Sequence, residues 1–271
     1  MTIRKQYKFP NSVLKQMLGK EPMERAVICH ICLDTAVISP VTNNTLGRPW
    51  LTILMDEYSK RILAFDLSME SPSYVSIMMV VRECVRINKM LPKNIVLTDD
   101  DRKVFNNMNL DTLLSAYYIQ KITYPKHFCE KLFTNVSKLI ERMEERCRSP
   151  WYFDELNLFI SSLLYEVYDQ QMTYMGTCPR GIFNSKSTSR RLPPRAEYDQ
   201  HFIILCLPQI ELRIVSGKGI RFNNIYYWTR DFLNPNLSGR KVMVKFDPQD
   251  INNVYAYLDN NWKKLSILFF N

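Results

Sequence analysis

Residues 26–67, AVICHICLDTAVISPVTNNTLGRPWLTILMDEYSKRILAFDL, decide the fold. Three apolar runs stand in this stretch: Ala26–Leu33 ending in Asp34, Trp50–Met55, and Arg61–Leu67. Each is short and bounded by polar turn residues, which reads as a strand. The second and third are separated only by DEYSK, a turn, and the first and second by the loop SPVTNNTLGRP. Working outward, Ser71-Pro72 supplies an N-cap and a proline for the first helical position. Val75, Met78, Met79, Val81 and Val85 then keep mostly helical spacing to about Asn88. Pro92 ends that pattern, and Asn94–Thr98 forms a short strand running into Asp99-Asp100-Asp101. A weak helix near Leu110–Ala116 and a strand at Tyr118–Thr123 follow. A long helix from about Phe128 to Arg146 carries Leu132, Val136, Leu139, Ile140 and Met143 on one stripe, and another helix runs from Phe153 to about Tyr168. Three meandering strands followed by alternation imply an α/β fold, a mixed sheet with helices on its faces.

The composition changes after Phe183. NSKSTSRRLPPR is polar, basic and proline-bearing, as linkers are. Beyond it the runs FIILCL, IELRIV, IYYW, KVMVKF and VYAYL are separated by turn signals at Gly217-Lys218-Gly219, Pro235-Asn236, Ser238-Gly239 and Asp259-Asn260-Asn261. Five or six short strands so spaced predict a small all-β barrel or sandwich. The expected division is a tail over 1–25, an α/β domain over 26–183, a linker over 184–199 and a barrel over 200–271.

The 271 residues carry 36 Lys and Arg against 27 Asp and Glu, a net charge of +9 that favours a polyanionic partner, nucleic acid being the commonest. No apolar run reaches the ~18 residues of a membrane span, so no membrane partner is expected. Seven cysteines, an odd number in apolar surroundings, suit free thiols in a reducing cytoplasm. Cys29-His30-Ile31-Cys32 has the spacing of a zinc or redox pair, but strand alternation points the two thiols to opposite faces and no second pair completes a site. The histidines His30, His127 and His201 are dispersed, and no G-x-S-x-G, phosphate-binding loop or dinucleotide fingerprint is present.

Acidic residues remain as candidates for chemistry. Asp34 and Asp99 close strands, and sheet ends are where side chains from several strands converge. Glu130 lies in the first turn of the long helix. Three carboxylates of this kind would be hard oxygen ligands for Mg²⁺ or Mn²⁺. Each also has a structural reading, since strand-end Asp begins turns and first-turn Glu complements the helix dipole. Asp56, Asp66 and Asp100 are open to nomination on the same grounds.

ICLDTAVISP followed by GRPWLTILMDEYSKRILAFDLSMESPSYVSIMMVVREC resembles the first half of the catalytic domain of Mu-type DDE transposases, the TnsB/TniA group of the retroviral-integrase superfamily. LPKNIVLTDDDRKVF resembles the second catalytic segment and YPKHFCEKLFTNVSKLI the helix with the catalytic Glu. LRIVSGKGIRFNNIYYWTRDFL and GRKVMVKFDPQDINNVYAYL are similar to the small β-barrel that follows, with Asp247-Pro248-Gln249-Asp250 its most specific motif. The resemblance runs collinearly over roughly residues 26–265. It implies a ribonuclease H-like sheet, with Asp34, Asp99 and Glu130 as catalytic residues holding two Mg²⁺ (or Mn²⁺) ions, and Asp56 as a non-catalytic Asp. Anchoring on Phe105 would select Asp100 instead of Asp99. Asp101 stands where that motif has Gly, and the Gly before the catalytic Glu is missing. The implied activity is metal-dependent 3′-end cleavage and strand transfer of transposon DNA. The implied partners are transposon-end and target DNA, further copies of the chain in a transpososome, and an ATPase or a helix-turn-helix protein. The alternative is a catalytically degenerate or truncated transposase remnant that binds DNA or the transpososome.

Overall fold

In the computed structural model, residues 19–99, 105–146, 150–172, 176–185 and 193–268 are described. The first strand, β1 (Arg25–Cys32), is followed by a small hairpin of β2 (Val37–Ile38) and β3 (Thr45–Gly47), then by β4 (Trp50–Asp56) and β5 (Ile62–Ser68). Next come α1 (Tyr74–Asn88), β6 (Asn94–Thr98), α2 (Met108–Ala116), β7 (Gln120–Tyr124) and α3 (Lys126–Arg146). After β8 (Trp151–Tyr152), α4 (Phe153–Ser162) continues as a π-helical stretch, Leu163–Tyr168, before α5 (Pro179–Ser185) and α6 (Gln200–Cys206). The main sheet has the order β5-β4-β1-β6-β7. Its β1–β4 and β4–β5 pairs are antiparallel, while β1–β6 and β6–β7 are parallel. A three-stranded meander extended by two parallel strands is the ribonuclease H-like mixed sheet that the resemblance implies.

The alternation of β1 sorts the helices onto two faces. Ala26 and Ile28 join the apolar cluster of α1, α2 and α6. Val27 and Leu33 join that of α3 and α4, with Cys29 and Ile31 packed at its margin. From α3 come Phe128 and the stripe Cys129, Phe133, Val136, Ile140 and Met143, at three- and four-residue steps.

Several expectations shift. Helix α1 starts three residues after Ser71, because Ser73 caps it: its hydroxyl accepts from Val75 N–H, and Ser76 Oγ accepts from Ser73 N–H. The loop between β1 and β4 contains the β2–β3 hairpin, to which β8 adds a parallel strand. Of the expected tail, residues 1–18 lie outside the described residues, whereas Gly19 N–H donates to Glu57 and Met23 N–H to Asp56. Of the expected linker, 186–192 also lie outside. Pro194 accepts from Leu91 N–H and Ala196 donates to Lys89 O, so this segment runs against the end of α1.

FIILCL is a helix, α6, and not a strand. Asp199 caps it by accepting from Phe202 N–H at 2.7 Å. Its apolar residues serve two sides: Phe202 and Cys206 pack on α1 and α2, while Ile204 and Leu207 pack on the barrel residue Tyr255. An apolar run buried on opposite sides imitates a buried strand in sequence.

The C-terminal domain consists of β9 (Gln209–Ile214), β10 (Ile220–Phe222), β11 (Ile225–Trp228), β12 (Lys241–Asp247), β13 (Asp250–Leu258) and β14 (Asn261–Ile267). These form a nearly closed antiparallel barrel in the order β10-β11-β14-β13-β12-β9. Val215, Ile220, Tyr227, Val244, Val254, Ala256 and Leu265 fill it. Asn223-Asn224 and Asp259-Asn260 both have positive φ, as two-residue hairpin turns require. At Gly219 φ is +90°, and a Cβ would stand 2.2 Å from Tyr227 O, so only glycine fits.

Candidate functional site

Asp99 follows β6 directly. Its N–H donates to Tyr124 O at 3.0 Å, and its Oδ1 accepts from Lys126 N–H, the first residue of α3, at 3.0 Å. Asp99 therefore sits at the N-terminal end of α3, where a carboxylate meets free backbone donors and the positive end of the helix dipole. Glu130 is one turn further along α3, with its side chain exposed. Asp100 and Asp101 lie outside the described residues.

Asp34 is at the other end of the same helix. Its N–H donates to the Glu144 carboxylate, and its own side chain, 80% exposed, pairs with Arg48 Nη2 at 3.2 Å. Arg48 Nε donates to Leu33 O at 2.9 Å, which fixes the guanidinium beside the strand end. Asp34, Glu141, Glu144 and Glu145 line an open hollow of about 510 Å³. Burial pushes the Glu144 carboxyl up, the Asp34 N–H pulls it down, and the Asp34 charge raises it again.

Helix geometry gives the separation. Lys126 and Glu144 are 18 positions apart, about 27 Å at the α-helical rise, and Glu130 and Glu144 are 14 apart, about 21 Å. Asp99 and Glu130 share one end of α3, and Asp34 does not join them. Among the described residues no three His, Cys, Asp or Glu side chains cluster so as to hold a metal ion. A two-ion site built on Asp34, Asp99 and Glu130 does not fit this arrangement.

The strand register shows which β1 residue lies on the α3 side level with the end of β6. Val27 is level with Val96 in the parallel β1–β6 ladder. Two positions on, Cys29 is level with Thr98, and Cys29 lies on the α3 side of the sheet. A thiol thus lies on the α3 face level with Thr98, the residue before Asp99. Thiolate is a soft ligand suited to zinc or copper(I), whereas Mg²⁺ takes hard oxygen donors. His30 points to the other face, with Nδ1 2.9 Å from Thr52 Oγ1 and its ring stacked on Phe105 at 5.1 Å. His127 and His201 are exposed on different helices.

Asp56 is fully buried. Its Oδ1 accepts from Met23 N–H at 2.8 Å and its Oδ2 from Ser59 N–H and Oγ at 2.8 and 2.6 Å. The carboxylate organises the β4–β5 turn and holds the segment before β1. Burial raises its pKa, and the Ser59 and Met23 bonds oppose that rise. Asp66 of β5 is also buried, and burial pushes its carboxyl up to about 7. The grouping of Asp34 with Glu141 and Glu144 escaped sequence reasoning. The only signal for it was that Glu144 is four helical turns from Glu130, on the same side but at the far end.

Two family models match in collinear order: a TnsB C-terminal domain over residues 28–120, and the C-terminal domain of Mu transposase over residues 204–265. The chain is a relative of the Mu-type transposases. No curated protein sequence matches it. Among solved structures, it is similar to the HTLV-2 integrase catalytic core domain in complex with magnesium, in its trimeric form. That match has 12% identity and a TM-score of 0.44, covering 61% of this chain and 99% of the core domain. A chain of the simian T-cell lymphotropic virus intasome in complex with PP2A regulatory subunit B56 gamma matches with 11% identity and a TM-score of 0.44. It covers 93% of this chain and 84% of that one. The BIV integrase catalytic core matches with 8% identity and a TM-score of 0.42, over 60% of this chain and 95% of that chain. In this Mu-type relative, no helix of the described residues is long and apolar enough to cross a membrane.

Proposed function

We propose that this Mu-type relative is a non-catalytic DNA- and transpososome-binding protein, one that keeps the transposase architecture without the metal-dependent chemistry. The observation that carries this reading is the separation along α3. Asp34 is bound at the Glu144 end, Asp99 and Glu130 are at the other, and Cys29 stands at the intervening β1 position. A phosphodiester-cleaving pair of Mg²⁺ ions needs oxygen ligands gathered within a few ångströms. Two carboxylates and a thiol supply only part of that set.

DNA binding rests on charge. Lys218, Arg240 and Lys241 are exposed, and the segments that carry them are joined where Gly239 N–H donates to Val215 O and Val215 N–H to Arg240 O. Arg221 lies on the neighbouring β10 with its guanidinium 5.9 Å from the Tyr226 ring. Such cations contact phosphates without reading sequence, and a half-buried aromatic ring with an open edge or face gives a base a stacking partner. The binding is thus expected to be non-specific, with transposon-end recognition supplied by a helix-turn-helix partner or by active transposase copies.

Labelled duplex DNA, incubated with the protein and Mg²⁺ or Mn²⁺, tests both halves. The expected result is binding that weakens at least tenfold between 50 and 200 mM salt, with no nicking in either metal. Nicking in Mg²⁺ that is lost in Asp99→Asn would overturn the non-catalytic reading and restore a working transposase.

A further inference from the structure

The two domains meet through buried polar groups that the proposed function does not use. Arg82, on α1, is 8% exposed. Its Nη1 donates to Asp247 Oδ2 at 2.8 Å, and its Nη2 donates to Gln249 Oε1. Gln249 Nε2 donates in turn to Asp66 Oδ1 on β5 at 3.0 Å, and Gln249 N–H donates to Asp247 Oδ1 at 3.0 Å. One turn of the barrel therefore reaches both a helix and a strand of the other domain. A second tie lies alongside. Lys245 Nζ, from the strand leading into that turn, donates to Ile204 O at 2.9 Å and lies 5.4 Å from the Trp262 ring centre. Because α6 packs on α1 and α2 through Phe202 and Cys206, this bond also joins barrel to sheet domain.

A barrel tethered only by a linker would have no reason to bury a guanidinium and two carboxylates. Buried ion pairs add little net stability over apolar packing, yet removing one partner leaves an uncompensated charge at a large cost. Such a joint tolerates no partial slippage, so it is either made or broken. We propose that the Asp247–Gln249 turn is a latch: the domains stay rigidly docked while Arg82 and Asp66 hold it, and part as whole units when it is released.

Asp66 makes the latch responsive to pH. Arg82 favours its ionised form, as does the Gln249 amide, while burial and the Glu83 charge oppose it, and burial dominates. Asp247, the other carboxylate of the joint, is held by Arg82. Undocking returns water to Asp66 and lowers its pKa towards the ordinary value of about 4. The docked form therefore holds a proton that the undocked form releases between about pH 4 and 7, and docking weakens as pH rises through that window.

The test uses the full chain, with hydrogen exchange and small-angle scattering at pH 5.5 and 8. Gln249→Ala removes the bonds to both Arg82 and Asp66 without removing a charge, and Arg82→Met breaks the ion pair. In both variants exchange over residues 200–206 and 244–250 should rise at least tenfold and the maximum particle dimension should increase, while β1 and β4 stay protected. Asp250→Ala, which loses only bonds within its own turn to Asn252 and Asn253, should change neither. In the wild type, exchange at these segments, corrected for intrinsic rate, should be faster at pH 8 than at pH 5.5, and Asp66→Asn should remove that difference. Unchanged exchange in Gln249→Ala and Arg82→Met, or a rise that spreads equally through β1 and β4, would overturn the latch. A wild type with no pH difference would overturn the role of Asp66. None of these readouts depends on DNA binding or on nicking.

Discussion

Replacing Asp56 by Ala separates a framework carboxylate from a catalytic one. Asp56 has no solvent exposure and accepts three hydrogen bonds, from Met23 N–H, Ser59 N–H and Ser59 Oγ. Truncation leaves two backbone donors and a hydroxyl without their acceptor in a water-poor site. Each stranded donor costs about 1–3 kcal/mol. Part of this is offset, because the ionised carboxylate is itself disfavoured by burial. A net loss of about 3–5 kcal/mol follows, a large share of the ~5–15 kcal/mol that ordinarily holds a domain folded. The backbone bonds of the turn, Lys60 N–H to Asp56 O and Asp56 N–H to Arg61 O, remain available, so the fold should persist with a lower midpoint.

The assay is urea unfolding followed by tryptophan fluorescence, with Asp34→Ala as the companion. Asp34 and Arg48 are both largely exposed, so that variant should move stability by no more than about 0.5 kcal/mol. The pH dependence has a definite sign. Asp56 has a raised folded pKa, so the native state binds more protons than the unfolded state between about pH 4 and that raised value. Wild-type stability falls as pH rises through this window, and the cost of Asp56→Ala is larger at pH 4 than at pH 7. A cost below about 1 kcal/mol at both pH values, or an equal cost for Asp34→Ala, would show that the burial and bonding argument is wrong.

Other outcomes are equally checkable. Gly219→Ala places a Cβ 2.2 Å from Tyr227 O at φ +90°, so it should destabilise the barrel by more than about 2 kcal/mol, read as a lower midpoint for its unfolding. Phe133→Ala empties the centre of the α3 face and should cost about 3–5 kcal/mol in the same urea titration. Cys29→Asp puts a carboxylate on the α3 face level with Thr98. It should create a melting-temperature rise on adding Mn²⁺ that the wild type lacks, and a flat response in the variant would count against the placement of Cys29 beside Asp99 and Glu130. Lys245 is lowered to about 8 by burial, so the native state binds fewer protons than the unfolded one between about pH 8 and 10. Wild-type stability should gain from this group as pH rises through that interval, and Lys245→Met should lose that gain.

What was legible in the sequence followed from periodicity and what was not followed from depth along an element. The alternation in AVICHICLD and the stripe of α3 fix which face each residue takes, because both are set by local geometry. They made the five-stranded sheet and the small barrel readable. Position along an axis is different. Glu130 and Glu144 share one side of α3, and only the docking of the helix determines which end meets Asp34. Reading Asp34 as the residue converging with Asp99 assumed that a strand's last residue is its active one. The ladder brings the end of β6 beside the middle of β1, so the β1 residue on the α3 face at that level is Cys29, five positions before Asp34. FIILCL failed as a strand for a related reason: its two buried sides face different domains, a fact of tertiary packing that leaves no period in the sequence. The latch was half visible. Asp247-Pro248-Gln249-Asp250 stood out as a motif, but its partners, Arg82 and Asp66, lie more than 160 residues away and read as ordinary members of a helix and a strand. The side chains of Asp247 and Gln249 are committed to α1 and β5, whereas Asp250 bonds only within its own turn, to Asn252 and Asn253.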